Sequence, residues 1–237
     1  MSNALLIHVP HASTALRGSF VLSETALNEE VNILTDWHMD ELFKGVDSVV
    51  FPYSRLYCDV ERYSDDSQEP MSELGMGFYY VKTHDGAVLR NLDEAEKEAI
   101  KTGVYTAHHK LLSEKAQKII DEHGFCILID CHSYDDSLPW VDGMSCPDIC
   151  LGLNESNPKL EQAVSDLCAE YGYSFAVNTP FAGTILPNDA DASKIFSVML
   201  EVNKRLYGGR QRDEIAFSKL GLFANAFSKI LIELLYL

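Results

Sequence analysis

Residues 125–134 read Phe-Cys-Ile-Leu-Ile-Asp-Cys-His-Ser-Tyr, and this stretch decides the predicted fold. Nearly every position up to Cys131 is apolar, which is typical of a strand that is buried on both faces. A helical pattern over residues 91–122 precedes the stretch, and Gly124 follows it as a residue that commonly ends helices. A long helix followed by an apolar strand predicts a parallel or mixed sheet with helices on both faces.

The same alternation of helical and strand patterns extends over the rest of the chain. Strand patterns lie at residues 4–9, 48–52, 56–60, 147–153, 174–178 and 195–202, and helical patterns at 23–45, 158–171 and 210–235. Residues 65–74 are polar and predict a loop, and Gly103 could divide the long helical pattern in two. We therefore expect one α/β domain over residues 1–237, with a mixed, mostly parallel sheet flanked by helices on both faces.

The charge and cysteine content narrow the class of protein. The chain has 19 Lys and Arg against 36 Asp and Glu, a net charge of -17, which disfavours nucleic acid and anionic membranes as partners. No basic segment followed by an apolar stretch resembles a secretion signal. The six cysteines show no repeated CxxC spacing. These features predict a cytoplasmic protein with reduced thiols.

Two histidines follow predicted strands, at the sheet edge where ligands bind in α/β proteins. His132 follows the apolar run, with Asp130 two residues earlier to orient it, and His11 follows the strand at residues 4–9. Either histidine alone could be a structural residue at a strand end. Together they suggest a catalytic zinc site, which usually takes three protein ligands, often two histidines and a carboxylate. Asp36 and Asp59 are both candidates for that carboxylate, and spacing does not choose between them.

Three further charged residues are candidates for substrate binding and catalysis. Arg55 and Arg62 flank Asp59, and either guanidinium could bind the carboxylate of an acidic substrate or form a structural salt bridge. Glu201 lies near the end of the strand pattern at residues 195–202. There it could act as a general base or be an ordinary surface glutamate.

Several other features carry less weight for function. The adjacent pair His108 and His109 is expected to be exposed, with at most one of the two rings facing a site. No GxGxxG, GxxxxGK[ST], GxSxG or HExxH motif is present, so the usual signatures of dinucleotide binding, phosphate loops, serine hydrolases and helical zinc proteases are missing.

A series of short motifs, in this order, resembles the N-formylglutamate amidohydrolase family. The motifs are Val-Pro-His-Ala-Ser at 9–13, Thr-Asp-Trp at 35–37, Asp-Glu-Leu at 40–42, Ser-Arg-Leu at 54–56 with Asp59 and Arg62, Tyr105 with His109, Asp-Cys-His-Ser at 130–133, Asn-Thr-Pro-Phe-Ala-Gly at 178–183 and Glu-Val-Asn-Lys-Arg-Leu-Tyr at 201–207. Each motif alone is weak, but the ordered series spans most of the chain and is quite specific.

The resemblance implies a fold like that of the phosphorylase/hydrolase-like zinc exopeptidases and a zinc-dependent hydrolysis of an N-formyl or other N-acyl acidic amino acid, such as N-formylglutamate. It implies zinc ligands at His11 and His132, and Glu201 as the base that activates water. Thr14 stands where carboxypeptidases have the glutamate of their HxxE pair, so the third ligand must come from elsewhere, and we choose Asp36 over Asp59. The substrate-binding residues implied are Arg55, Arg62, Asn178 and Gly183.

One motif departs from the family, and two other functions stay open. Family members commonly read Asp-Leu-Asn-Arg where this chain has Asp59-Val60-Glu61-Arg62, so Glu61 could partly neutralise the neighbouring arginine and change which acid is accepted. One alternative is a metal-free protein that binds a small acidic ligand. The other is a zinc deacylase or carboxypeptidase-like enzyme with another substrate. The sequence leaves the oligomeric state open.

Overall fold

Six strands form one sheet in the computed structural model, which describes residues 4–235. The strands are β1 (Leu5–Val9), β2 (Ser48–Val50), β3 (Cys126–Tyr134), β4 (Ile149–Gly152), β5 (Phe175–Val177) and β6 (Ile195–Asn203). Their order is β2-β1-β3-β6-β4-β5, and β4 and β5 run opposite to the other four. The expected mixed, mostly parallel sheet is confirmed. Residues 1–3 and 236–237 lie outside the described part, so the ends of the domain expected over residues 1–237 stay a prediction.

Helices cover both faces of the sheet, as the apolar run predicted. They are α1 (Glu24–Leu34), α2 (Met39–Leu42), α3 (Glu94–Ile100), α4 (Thr106–His123), α5 (Pro158–Tyr171) and α6 (Glu214–Leu235). All nine residues of β3 are buried. Because side chains alternate along a strand, Ile127 and Ile129 pack in the core with α5 and α6, whereas Cys126 and Leu128 pack with α4.

The helix predicted over residues 23–45 is interrupted, and this break positions part of the site. Ser23 caps the start of α1. At its end, the Thr35 hydroxyl donates to the Val31 carbonyl (2.6 Å), and the Thr35 backbone is extended. The next amide, of Asp36, then donates to the His11 carbonyl (3.0 Å). A segment that periodicity alone reads as a helix thus turns toward the loop after β1, because side-chain and tertiary hydrogen bonds replace the helical ones.

Four other elements differ from the sequence prediction. Residues 56–60 form turns rather than a strand, since the amides of Tyr57 and Cys58 donate back to the Ser54 carbonyl. The predicted loop at residues 65–74 ends in a short 3₁₀ helix, Pro70–Leu74. The long helical pattern continues through Gly103 as a π-helical segment, Lys101–Tyr105, that joins α3 to α4. The last helix begins at Glu214 rather than at residue 210.

Helix α6 is long and apolar enough to cross a membrane by length and composition alone. Its Leu220, Phe223, Phe227 and Leu231 are completely buried in the core that also contains α5 residues. Core helices commonly meet the same criterion, so it is weak evidence for a membrane span.

Candidate functional site

Three buried side chains converge at one edge of the sheet. His11 lies in the loop after β1, Asp36 in the segment that follows α1, and His132 near the end of β3. The Nδ1 atoms of the two histidines are 3.2 Å apart. Oδ2 of Asp36 lies 3.3 Å from Nδ1 of His132 and 3.5 Å from Nδ1 of His11. Three elements far apart in sequence therefore bring three donor atoms to one point.

The spacing and chemistry of these atoms fit a zinc ion. Zinc is held at about 2.0–2.1 Å by histidine nitrogen and carboxylate oxygen, so two ligands of a tetrahedral ion lie about 3.3–3.4 Å apart. The three measured separations are 3.2, 3.3 and 3.5 Å. Two histidines and one carboxylate are also a common donor set of catalytic zinc.

A second buried carboxylate contacts the other nitrogen of each histidine. Oδ1 of Asp59 lies 2.8 Å from Nε2 of His11, and Oδ1 of Asp130 lies 3.0 Å from Nε2 of His132. Such a partner fixes the orientation of a ligating imidazole and directs its free lone pair to the metal. Of the two candidates for the third ligand, Asp36 therefore lies within the cluster, and Asp59 lies behind His11.

The carboxylates of this cluster are held in the ionised form. Burial alone would raise the pKa of Asp36, but hydrogen bonds from His11 and His132 hold that pKa well below its usual range. Burial would also raise the pKa of Asp59, but the charge of Arg55 and the contact with His11 outweigh burial and hold this pKa well below its usual value. Burial opposes charge on His132 as well, yet Asp130 raises its pKa well above the usual value. Opposite charges within the cluster thus outweigh the cost of burial for Asp36, Asp59 and His132.

Glu201 lies beside His132 because the two residues are paired in the register of β3 and β6. Its side chain is buried, which differs from the alternative of an ordinary surface glutamate. Within residues 4–235, Oε2 of Glu201 has no hydrogen-bond partner. Burial raises the pKa of Glu201 to about 8, a shift that His132 counteracts and Asp36 reinforces. The free oxygen is placed to exchange a proton with a bound molecule.

A cavity of about 240 Å³ opens onto these groups. Its lining includes His11, Asp36, His132, Glu201, Arg55, Arg62, Lys204, Tyr80, Trp140 and Phe181. The volume suits a small molecule. Glu61 and Asp135 also line the cavity, so four acidic residues face three cations, and an acidic ligand would depend on direct contact with the cations rather than on a net positive charge.

The two arginines predicted to bind substrate differ in how strongly the protein engages them. Nε and Nη2 of Arg55 both donate to Oδ2 of Asp59, at 3.1 and 2.8 Å. Arg62 is only loosely paired, because its Nε lies 3.6 Å from Asp59 and its Nη1 lies 3.9 Å from Glu69. Arg62 therefore has more hydrogen-bonding capacity left for a ligand.

A sequence model of the N-formylglutamate amidohydrolases matches residues 3–208 of the chain. The chain belongs to the N-formylglutamate amidohydrolase family. It is 31% identical over 195 residues to the N-formylglutamate deformylase of Pseudomonas aeruginosa, covering 76% of this chain and 71% of that protein. It is 28% identical over 222 residues to the N-formylglutamate deformylase of Pseudomonas putida, covering 86% of this chain and 81% of that protein.

Solved structures show the same fold. The crystal structure of an N-formylglutamate amidohydrolase from Ralstonia eutropha JMP134 superposes with a TM-score of 0.81 at 21% identity, covering 96% of this chain and 94% of that chain. A gene product of Agrobacterium tumefaciens superposes with a TM-score of 0.67 at 19% identity, covering 98% of this chain and 92% of that chain. The fold of this amidohydrolase-family member is therefore shared along nearly its whole length.

Two residues predicted to bind substrate in this family member lie near the cavity but not in its lining. The backbone of Asn178 has a positive φ of 53°, and its side-chain oxygen accepts hydrogen bonds from the amides of Leu153 and Gly183. Gly183 lines a larger adjoining cavity of about 640 Å³, and Ala182 lines both cavities. Asn178 thus shapes the loop beside the site, and substrate contacts by Asn178 and Gly183 remain predictions.

Glu61, the residue at which this chain departs from the family's Asp-Leu-Asn-Arg motif, forms no ion pair with the neighbouring Arg62 in the described residues. Oε1 of Glu61 lies 3.1 Å from Nδ1 of His8. Among the ion pairs formed within residues 4–235, Arg62 pairs with Asp59 and Glu69 instead. Glu61 turns toward a buried histidine on β1, so it does not neutralise Arg62 by direct contact. Both residues line the same cavity, and an effect of Glu61 on which acid is accepted stays a prediction.

A buried histidine chain behind the site was missed by sequence reasoning. Nδ1 of His8 lies 2.9 Å from Oδ1 of Asp130, and Nε2 of His8 lies 2.8 Å from Nε2 of His108. Burial disfavours charge on His8, but Asp130 and Glu61 raise its pKa to about 9. The signal was a lone polar residue in the apolar run at residues 4–9.

The expectation that His108 and His109 are exposed is wrong, because both rings are buried. Nε2 of His109 contacts the Val60 carbonyl at 2.9 Å, and His108 packs against His8 and Phe51. Two adjacent positions on a helix can both be buried where the helix packs against more than one layer, as α4 does against β1 and the turns at residues 56–60.

Proposed function

We propose that this chain is a zinc-dependent amidohydrolase that hydrolyses N-formylglutamate to formate and glutamate. The observation that carries the proposal is the convergence of His11, Asp36 and His132 beside Glu201, in a cavity that also contains cationic side chains. Membership of the N-formylglutamate amidohydrolase family and two relatives named N-formylglutamate deformylase support the choice of substrate.

The metal would be held by His11, Asp36 and His132, with Asp59 and Asp130 orienting the two imidazoles. Zinc bound there would supply Lewis acidity, which lowers the pKa of water and polarises the formyl carbonyl. The carboxylates of Asp59 and Asp130, which lie behind the two histidines, would have to meet one condition. Each must stay ionised to keep Nε2 of its histidine protonated and Nδ1 free as a ligand.

Glu201 would move the proton that the reaction requires. This role requires the ionised form of Glu201, which the positive charge of a bound zinc ion would favour. As water adds to the formyl carbon, Oε2 of the carboxylate accepts one of its protons, and the same oxygen returns that proton to the leaving amine when the carbon–nitrogen bond breaks. One water is consumed, and formate and the free amino acid are produced. The lack of another partner for Oε2 in the described residues leaves it available for both steps.

The cations of the cavity would hold the substrate's negative charge. Arg62 is the arginine better placed to do so, because Nε and Nη2 of Arg55 are already engaged by Asp59. Arg55 would then act mainly by fixing Asp59 behind His11. Guanidinium and carboxylate groups pair well because the donors of the fork match two oxygen acceptors.

The test of the proposal combines metal content with turnover. We expect about one zinc per chain by elemental analysis, and loss of the metal in a His11→Ala, His132→Ala double variant. Glu201→Gln should retain zinc and lower kcat for N-formylglutamate by roughly 10²–10⁴-fold. Glu170→Gln, at an exposed glutamate on α5, is the matched control and should behave like the wild type.

Three outcomes would each contradict a different part of the proposal. A fully active Glu201→Gln protein would remove the base assignment. Absence of zinc in the wild type after incubation with the metal would favour a metal-free protein that binds a small acidic ligand. Zinc-dependent turnover of other N-acyl amino acids, with none of N-formylglutamate, would keep the chemistry and change the substrate.

A further inference from the structure

Lys204 is a buried cation that lines the catalytic cavity without a carboxylate partner. It follows directly on β6, three residues after Glu201, and only 9% of it is exposed. Its Nζ donates to the Ile33 carbonyl at 2.7 Å. Among residues 4–235, no carboxylate lies within ion-pair distance of Nζ, and the ammonium group has three protons to donate.

A buried unpaired lysine is costly, so its retention calls for a specific partner. Lysine is almost never fully buried unless it is paired, because removal of the charge from water is unfavourable. Burial lowers the pKa of Lys204, and the nearby charges of Asp36 and Asp135 raise it only in part. Asp135 forms no ion pair with Lys204 in the described chain, and its Oδ1 accepts from the amide and the hydroxyl of Ser137.

The other cations of the cavity show which groups remain for a ligand. Arg55 is held by Asp59 through two hydrogen bonds, whereas the Nε of Arg62 is buried without a hydrogen-bond partner in the described chain. Arg62 and Lys204 are therefore two incompletely satisfied cations that line one cavity of about 240 Å³. A ligand with two anionic groups would satisfy both.

We propose that Lys204 binds one carboxylate of a dicarboxylic N-acyl amino acid and that Arg62 binds the other. The inference rests on the proposed function and extends it. The chain would select its substrate by requiring two carboxylates, and Lys204 would be a substrate-binding residue of the reaction. Two anchors of this kind also offset the repulsion between a dianionic substrate and a protein of net charge -17.

The rival role for Lys204 is purely structural. Its bond to the Ile33 carbonyl ties β6 to the end of α1, three residues before Asp36. Loss of that bond could shift Asp36 and slow turnover of every substrate by the same factor. A comparison of substrates within each variant separates the two roles, since a displaced Asp36 does not distinguish a carboxylate from an amide.

The experiment measures kcat/KM on three substrates for the zinc-loaded wild type, Lys204→Met and Arg62→Met. The substrates are N-formyl-L-glutamate and its two monoamides, one with the α-carboxylate and one with the side-chain carboxylate converted to an amide. We expect Lys204→Met to lower kcat/KM for the dicarboxylate by about 10- to 100-fold, as for a lost charge-assisted hydrogen bond. On the monoamide that lacks the carboxylate bound by Lys204, the loss should be under about 3-fold. Arg62→Met should show the opposite preference between the monoamides.

Lys219→Met is the matched control, because Lys219 is an exposed lysine that also donates to a backbone carbonyl, that of Tyr171 (2.6 Å). It should leave kcat/KM for each of the three substrates at the wild-type value. Equal loss on all three substrates in Lys204→Met, or no loss, would overturn the inference.

Failure of the proposed function would look different, since the wild type itself would hydrolyse none of the three compounds. In that case, calorimetric titration of the proteins with L-glutamate in a buffer that contains zinc still tests Lys204, whether or not the metal binds. At least 10-fold weaker binding in Lys204→Met than in Lys219→Met would support its role, and equal affinity would exclude it.

Discussion

At the residue scale, the site depends on carboxylates that act on histidines rather than on the histidines alone. His11 and His132 direct one nitrogen to the cluster and the other to a buried aspartate. Asp130 serves two histidines at once, since the same oxygen contacts His132 and His8. His8 therefore influences the site through Asp130, without reaching the cavity lining itself.

The charge of His8 should make stability depend on pH. Its folded-state pKa of about 9 lies above the ordinary 6.5, so its stabilising contribution is complete below about pH 6.5 and is lost as the pH rises through about 9. At full strength the shift corresponds to about 3 kcal/mol. His8→Asn, which keeps a donor without the charge, should lower the free energy of unfolding by an amount of that order near pH 6 and much less above pH 9.

Urea denaturation of the wild type and His8→Asn at about pH 6 and about pH 9.5 measures this difference. Because the wild type and the variant are compared at the same pH, the contributions of other titrating groups to the unfolding free energy largely cancel. An equal difference in unfolding free energy at both pH values would show that His8 contributes by packing alone.

At the element scale, two strands and one interrupted helix position the chemistry. The register of β3 against β6 places Glu201 beside His132, and the end of α1 at Thr35 turns Asp36 toward the loop after β1. On the other side of β6, β4 lies close to the loop at residues 178–183. Gly152 in β4 leaves no room for a side chain, because an added Cβ would collide with the Gly183 carbonyl and with Met199.

Gly152→Ala should therefore destabilise the protein by about 1–3 kcal/mol, as overpacking of a filled core does. Activity should fall as well, because Met199 lines the cavity and would have to move, as would Gly183, which adjoins the cavity-lining Ala182. Urea midpoints and kcat/KM report the two effects. Gly221→Ala in α6 is the control, since a Cβ there meets nothing within 4 Å. It should be neutral or stabilising by up to about 1 kcal/mol. A wild-type midpoint and activity for Gly152→Ala would contradict the predicted clash.

At the scale of the whole molecule, the three proposed zinc ligands connect β1, the end of α1 and β3. Zinc that binds only the folded chain must stabilise it, by about 2.7 kcal/mol at a free concentration one hundred times Kd. For a protein of this size, this corresponds to a rise in Tm of roughly 5–10 °C. Chelator-treated protein should show that rise on addition of zinc, and the His11→Ala, His132→Ala variant should not.

His38→Asn is the control for the thermal measurement. His38 has a positive φ of 64°, a conformation that asparagine tolerates, and it is not part of the zinc cluster. The variant should keep the zinc-dependent shift. The metal would have to bind elsewhere if the zinc-dependent rise in Tm persisted in the His11→Ala, His132→Ala variant. The same would hold if the rise were lost in His38→Asn.

Several features of this protein follow from sequence alone because they depend on local patterns. The apolar run at residues 125–131 requires burial on both faces, so it predicts a sheet with helices on each side, and residues after strands of such a sheet meet at one edge. That argument suffices to select His11 and His132. The order of the family motifs along the chain is likewise a property of the sequence, and the family is confirmed.

Only the tertiary structure decided how the charged groups are paired. Asp36 and Asp59 are equivalent by spacing, but one lies in the cluster and the other lies behind His11 and is engaged by Arg55. Likewise, Glu61 turns to His8, and Lys204 is buried without a carboxylate partner in the described chain. Pairing of this kind depends on distances between residues that are far apart in sequence. It depends also on the cost of burying each charge, and a one-dimensional pattern contains neither quantity.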